Sequence, residues 1–475
     1  MSLYKNPEDI NIRIIKPILF IFMTDILKDG IPKPQRTWAI ITIALGITVS
    51  VLDGAIANVA LPTIAKDLDV HPTNAIWIVN AYQLAITISL LSLSSLGDIW
   101  GYKNVYQYGL LLFSITSFIC AMSDSFWTLA LARGLQGFGA AAIASVNTAL
   151  IRVIYPKRFL SQGMGINALV VSVAAAAGPT IAAGILSVAN WPWLFAVNVP
   201  IGIVAFLLGR KVLPANPVKT TGHRFDWGSA AMSALTFGLL ITIIDGFAHN
   251  LKLSIIIPEI VIFLAVGYFF IRRQLRLPFP LFPIDLLRNR IFSLSIVTST
   301  FSFIAQMLAL VSIPFFFQRV LHFNEVETGL LLTPWPLATM VFAPLAGKLT
   351  MKINAGILGG IGLTLFSIGL FLLATLPDQP THWDIIWRML IGGAGFGLFQ
   401  TPNNSTIIGA APTNRSGGAS GMLGIARILG QTSGAALAAL MFALFPGHSM
   451  HASLIMAGCF AATGAIISCL RIPHT

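Results

Sequence analysis

Three charged side chains stand inside long apolar stretches of this sequence: Asp53, Arg133 and Arg427. Counting from Thr37 at about 1.5 Å per residue puts Asp53 roughly 24 Å along the first apolar helix, still within hydrocarbon. An ionised carboxylate there costs at least about 2.5 kcal/mol, so it must pair, face a water-filled cavity or carry a proton. A carboxylate for which a proton and a cationic substrate compete would exchange one for the other, which is antiport. A permanent ion pair or a helix-packing bond is the alternative. Arg133 lies about seven residues into an inward-running helix, roughly 10 Å below the outer surface and near the depth of Asp53. It is the expected partner, with a snorkelling or structural arginine as the other reading. Gln136, one step on, can join the same polar cluster, and Asn58 reads as a hydrogen bonder between packed helices.

Arg427 falls near the middle of its apolar run with Gln431 a turn on, and that run holds no acid. A buried arginine needs a partner, here a carbonyl, Asn403, Asn404 or Gln306. Phe301, Phe303, Met307, Phe315, Phe316 and Phe317 crowd one earlier run. Aromatic faces hold flat cations and adaptable apolar walls accept varied ligands, although several of these rings must face lipid or pack internally. The substrate surface is therefore read as Asp53, Gln136, Phe303, Gln306, Met307, Asn403 and Arg427. Asp245 and Glu259 read as interfacial charges.

The elements that hold these groups follow from composition. Hydrophobic residues make up 56% of the 475 positions and charged ones only 10%, against roughly 25% charged in soluble domains. The apolar runs are continuous and about 20 residues long, the length of a helix that crosses a bilayer, which excludes the short alternating segments of a barrel. The net charge of +12 sits in loops and not on a soluble basic domain, so nucleic acid is not an expected partner. Cys120, Cys459 and Cys469 form no CxxC spacing or disulfide framework. No HExxH, GxSxG, P-loop or paired-carboxylate site appears, so an enzyme is not expected, and nothing resembles a selectivity filter.

Fourteen spans are predicted, near 37–62, 74–96, 104–123, 126–150, 162–187, 193–213, 227–248, 253–271, 291–317, 327–348, 354–376, 384–408, 417–445 and 451–470. With the N-terminus in the cytoplasm, the loops after even-numbered spans collect nearly all the charge, from Lys103, Arg152, Lys157 and Arg158 to Lys348, Lys352 and Arg415. The other side has only Lys66, Lys252 and Arg319. That asymmetry places both termini in the cytoplasm. Trp38, Trp100, Trp127, Trp193, Trp227 and Trp383 fall near predicted helix ends, as interfacial anchors do. Residues 1–36 form a tail that is either an amphipathic helix on the membrane face or a leader preceding a start at Met23.

"RGLQGFGAA" from Arg133 and "RMLIGGAGFG" from Arg388 are each an arginine followed by close glycines. They mark the fourth helix of two repeated six-helix halves, residues 37–213 and 288–475, with two inserted helices in 214–287. The motifs in order are "LDGAIANVALP" (Leu52–Pro62), "WIVNAYQLA" (Trp77–Ala85), "SSLGDIWGYK" (Ser94–Lys103), "RGLQGFGAA", "GPTIAAG" (Gly178–Gly184) and "WPWLFAVNVPIG" (Trp191–Gly202). Together they resemble the major facilitator superfamily, in particular its fourteen-helix drug:proton antiporter branch.

The resemblance implies an all-α polytopic fold of that type, and proton coupling through Arg133 beside Asp53. It implies a latch between the halves at Asp98, Gly101 and Lys103, and a bend at Gly178 and Pro179 that marks exporters. Ile99 and Tyr102 stand where the family has basic residues, and Ala182 and Ala183 where it has glycines. The expected function is proton-coupled efflux of lipophilic, cationic compounds from the inner membrane by alternating access. A metabolite exporter or a proton-coupled importer on the same fold is the alternative. Protons are the only expected coupling partner and no cofactor is implied. A monomer in the lipid bilayer is expected to suffice, with a periplasmic adaptor left open.

Overall fold

A backbone in hydrocarbon has no water to bond, so each crossing segment must satisfy its own N–H and C=O groups as a helix. The computed structural model describes residues 30–71, 75, 77–215, 225–248, 252–323, 325–377, 379–445 and 449–471. The readings of the leader lie outside these residues, and those of the Asn58 and Asp245 side chains lie outside the described side chains. Among the described residues, fourteen long helices follow one another. They are α1 (Lys33–Asp67), α2 (Trp77–Trp100), α3 (Tyr102–Ala121), α4 (Phe126–Ile154), α5 (Leu160–Val188), α6 (Asn198–Val212) and α7 (Trp227–Ala248). Then come α8 (Leu253–Gln274), α9 (Arg290–Arg319), α10 (Pro334–Leu349), α11 (Ala355–Ala374), α12 (His382–Ala410), α13 (Ser416–Leu444) and α14 (Ser449–Cys469).

Among the described residues, 13 segments are long and apolar enough to cross a membrane. The helix that fails that criterion is α12, which carries Asp384, Arg388, Gln400, Asn403 and Asn404. Its middle, from Gly392 to Asn403, is mostly buried among other helices, where polar side chains do not meet lipid. Two predicted spans are broken. The sixth stops at Ala196 and resumes at Asn198, and the tenth stops at Leu332 and resumes at Pro334. Pro200 and Pro336 each lie four residues beyond those stops, where the missing N–H leaves the carbonyl of Ala196 or Leu332 without its helical bond. Trp38, Trp100, Trp127, Trp193, Trp227 and Trp383 are all more than half exposed, as rings that meet lipid headgroups are.

Close helix packing repeats between α1–α6 and α9–α14. A Cβ on Gly137 of α4 would lie 2.5 Å from the Tyr82 carbonyl and 2.7 Å from Ala85 of α2. On Gly393 of α12 it would lie 2.3 Å from the Trp335 carbonyl and 3.0 Å from Ala338 of α10. Gly139 meets Gly109 and Phe113 of α3 just as Gly395 meets Gly362 and Phe366 of α11. The register is constant, 256 residues from α4 to α12 and 253 from α3 to α11. It corrects the arginine alignment by one position. The counterpart of Arg133 is buried Met389, while Arg388 bonds Asp384 at the start of α12. Helices α7 and α8 pack on each other, and α7 packs against α2 and α13.

The face where α2 hands over to α3, and α4 to α5, carries most of the loop lysines and arginines, and the two halves are joined there. Arg152 of α4 donates to the carbonyl of Ala411 at 2.7 Å and to Ser416 Oγ at 2.9 Å. Thr148 bonds Ser420 at 2.5 Å and Ser161 bonds Ser405 at 2.8 Å. Gly417, Gly421 and Gly424 of α13 let α2 approach at Ser94 and Leu90, and Gly165 and Gly347 let α5 approach α10. Toward the opposite face the halves diverge. Beyond Val171, α5 buries only Ala174, Gly178 and Ala182, and beyond Gly430, α13 buries only Gly434, Ala438 and Met441.

Gly395→Ala and Gly139→Ala should each lower the thermal midpoint of the detergent-purified protein, because overpacking costs about 1–3 kcal/mol. Gly134→Ala, where a Cβ meets nothing within 4 Å, should leave it unchanged or raise it slightly.

Candidate functional site

Asp53 is 1% exposed and Arg133 is fully buried. The pair forms because the α1–α4 packing sets the two side chains at one depth. Arg133 Nη1 lies 2.5 Å from Asp53 Oδ2. The other carboxylate oxygen, Oδ1, accepts from Gln136 Nε2 at 3.0 Å and from Asn198 Nδ2 at 2.8 Å. Arg133 also donates to Gln136 Oε1 at 2.6 Å and to the Ile78 carbonyl at 3.2 Å. Its guanidinium lies 4.2 Å from the centroid of Tyr82, whose hydroxyl donates to the Ser50 carbonyl at 3.0 Å. Ser117 accepts from Gln136 at 2.8 Å. Desolvation of two ions is offset only when such further bonds complete the geometry. Here five helices supply them, and Asn198 reaches the cluster from the first position after the break that Pro200 makes. Arg133 Nη2 and Asn198 Oδ1 are buried without a partner.

Asp53, Arg133 and Gln136 are thus brought together as expected, while Asn198, Ser117 and Ile78 were not foreseen. Asn198 was readable as an amide just before a proline in an apolar run. The Ile78 carbonyl leaves no trace in a sequence. Close by, a Cβ on Gly178 of α5 would come within 2.5 Å of Ala55 Cβ on α1. Gly178 and Pro179 therefore sit where α5 crosses beside the ion pair.

A cavity of about 90 Å³ lies between the halves at the inner end of their divergence. Its polar wall is Asn147, Thr148, Asn167, Gln400, Asn404 and Ser420, with Arg427. Ile47, Leu90, Val171 and Phe303 are among its apolar wall. Of the expected substrate residues, Phe303 and Arg427 line it; Asp53, Gln136, Gln306, Met307 and Asn403 do not. Met307 packs on Gly434. Asn403 accepts from Arg471 Nη1 at 2.6 Å and donates to the Ser295 carbonyl at 3.3 Å. Arg471 takes neutral acceptors only, and its burial pushes the guanidinium down to about 10. No carboxylate lines the cavity among the described residues.

The third cluster is at the basic face. Asp98 Oδ1 accepts from the Gly417 amide at 2.8 Å and Oδ2 from the Gly418 amide at 3.0 Å. These are the first-turn amides of α13, where the helix dipole favours an anion. Tyr102, at a position where the resemblance leads one to expect a base, donates its hydroxyl to Asp98 at 2.7 Å. Gly101 begins α3 at φ 103°, a conformation suited to glycine. Lys103 lies apart from this contact and donates to the Arg210 carbonyl at 2.8 Å, closing the end of α6. Arg415 holds Asp285 at 2.8 Å and the Pro280 carbonyl at 3.0 Å, tying the segment before α9 to α13.

The family model described as Major Facilitator Superfamily matches residues 43–435 and 297–474. The chain is 60% identical over 450 residues to the uncharacterized transporter YebQ of Escherichia coli K12, covering 95% of this chain and 98% of that one. It is 29% identical to the riboflavin transporter RibZ of Clostridioides difficile, covering 86% of this chain and 89% of RibZ. It is also 29% identical to the multidrug resistance protein Stp of Mycobacterium tuberculosis, covering 84% of this chain and 74% of Stp.

Removing the Asp98 acceptor should loosen the contact between the halves, since a charge-assisted hydrogen bond contributes about 1.5–3 kcal/mol. Spin labels on cysteines replacing exposed Arg158 and Lys352, in a background without the native cysteines, should gain a longer-distance population in Asp98→Ala. An unchanged distance distribution would count against the latch.

Proposed function

The chain belongs to the major facilitator superfamily, and from that premise we propose that it is a proton-coupled antiporter exporting small, largely apolar organic compounds. It works by alternating access in the bacterial inner membrane, with the basic face and both termini in the cytoplasm. The observation that carries this reading is the Asp53–Arg133 pair, a carboxylate buried at membrane depth with both oxygens engaged. A group so placed is costly to keep for packing alone and is a functional hypothesis by default.

Protonation of Asp53 removes its charge and releases Arg133 to the Ile78 carbonyl, Gln136 and the face of Tyr82. The change is felt two residues on, where Ala55 sits against Gly178. From there α5 runs past the cavity at Val171 and Asn167 to the seam with α10 at Gly165. One helix thereby touches the proton site, the cavity and the gate. The tight seam at the basic face and the divergence on the other side support reading this as an outward-facing state, ready to release cargo and take a proton. The antiporter motifs favour export, as do relatives described as a tetracenomycin C resistance and export protein and a multidrug export protein.

In inverted membrane vesicles energised by respiration, a transported compound should partly dissipate the pH gradient in the wild type. Asp53→Asn should lower that proton-driven flux by at least about tenfold while leaving substrate binding to the purified protein nearly unchanged. Equal flux in the two proteins would sink the assignment.

A further inference from the structure

We propose that the central cavity takes organic anions, with Arg427 as the group that holds their carboxylate or sulfonate. The inference rests on the reading of the chain as a small-molecule transporter and fixes the charge of the cargo. It reverses the preference for cations that the sequence leads one to expect.

Arg427 is eleven residues into α13 from Ser416, about 16 Å along the helix and so near the bilayer midplane. It lines the cavity, and among the described residues it makes no hydrogen bond or ion pair. The buried arginines differ. Arg133 has Asp53, Arg415 has Asp285, and Arg471 has Asn403, Ser295 and Ser468. Of the amides nearby, Asn403 serves Arg471, and Asn147 donates to Asn167 at 2.7 Å with its own oxygen left without a partner among the described residues.

An uncompensated guanidinium at this depth is costly, and the ligand that relieves it is an anion. Its planar fork matches a carboxylate or sulfonate in two parallel hydrogen bonds. Gln400 and Asn404 flank it on α12 as further amide donors. A cation placed there would meet one positive charge and no negative one. The cavity holds about 90 Å³, space for a charged head and not for a drug-sized molecule, which needs about 300 Å³ or more. The apolar body of the ligand then extends into the widening gap between α5 and α13. The halves also differ in the way this requires: the 256-residue register sets Val171 opposite Arg427, so the charge is single and not paired across the cavity.

The test uses two dyes on one xanthene skeleton, anionic fluorescein and cationic rhodamine 6G, binding to the full-length protein purified in nanodiscs and followed by anisotropy. Wild type should bind fluorescein more tightly than rhodamine 6G. Arg427→Gln should weaken fluorescein by about tenfold or more without weakening rhodamine 6G, and Arg427→Lys, which keeps the charge, should recover part of the loss. Tighter binding of rhodamine 6G, no saturable binding of fluorescein, or equal fluorescein affinity in wild type and Arg427→Gln would each overturn the proposal. Loss of proton coupling with the fluorescein preference intact would instead overturn the antiport reading alone.

Discussion

Hydrocarbon tolerates a charge only where the protein answers it, and the buried ions of this chain are answered in four different ways. Asp53 meets Arg133 directly and is completed by amides from α4 and α6. Asp98 meets no base among its hydrogen-bond partners but two main-chain amides at the start of α13 and a tyrosine hydroxyl. Arg471 is held by neutral oxygens. Arg427 is left to the cavity. The first is closed within one half, the second crosses between halves, and the last faces the space between them. On the antiport reading, three of these match different mechanical roles: a two-state proton site, a contact that must break when the halves rock, and a site whose partner comes and goes.

The two halves share a packing scheme but not a chemistry. The glycines that bring α3 to α4 and α2 to α4 recur in α11–α12 and α10–α12 at a fixed register, because close helix approach needs a bare backbone at the crossing. Ionic groups need no such repetition. Met389 replaces Arg133, and by the contact of Gly434 with Met307, matching that of Gly178 with Ala55, the position of Asp53 falls on buried Ala305. On the antiport reading, the coupling charge belongs to α1–α6 and the cargo charge to α9–α14.

Much of this was legible in the sequence, and for physical reasons. Span number followed from the length of the apolar runs, even for α12, whose polar residues defeat a simple hydropathy threshold. Asp53 and Arg133 were paired because two lone charges at one depth have few other options. What escaped were partners without side-chain identity. The amides of Gly417 and Gly418 are generic backbone, so the latch acceptor was readable and its donors were not. The glycines at 417, 421 and 424 carry a small-residue spacing that could have pointed to them. Arg471 lies just beyond the last apolar run and took the asparagine expected for Arg427, a competition only three-dimensional structure reveals.

The separation of the two charges constrains the exchange itself. Direct competition of proton and substrate for one carboxylate requires Asp53 on the cavity wall, and it is 1% exposed, with both oxygens bonded inside α1–α6. If Asp53 is the proton carrier, coupling must then pass through helix geometry. The available path is short: Ala55 against Gly178, α5 past Asn167 and Val171, and Gly165 against Ala343 at the seam. Such a path couples two sites only if the element between them has two arrangements that both sites bias. The break before Asn198 and the internal Pro179 lie on the helices beside Asp53, where loss of an amide bond lowers the cost of a bend. A protonated Asp53 would no longer hold Asn198 and Arg133 by charge. The α1–α5 contact is then free to settle differently, and the seam at Gly165 moves with it.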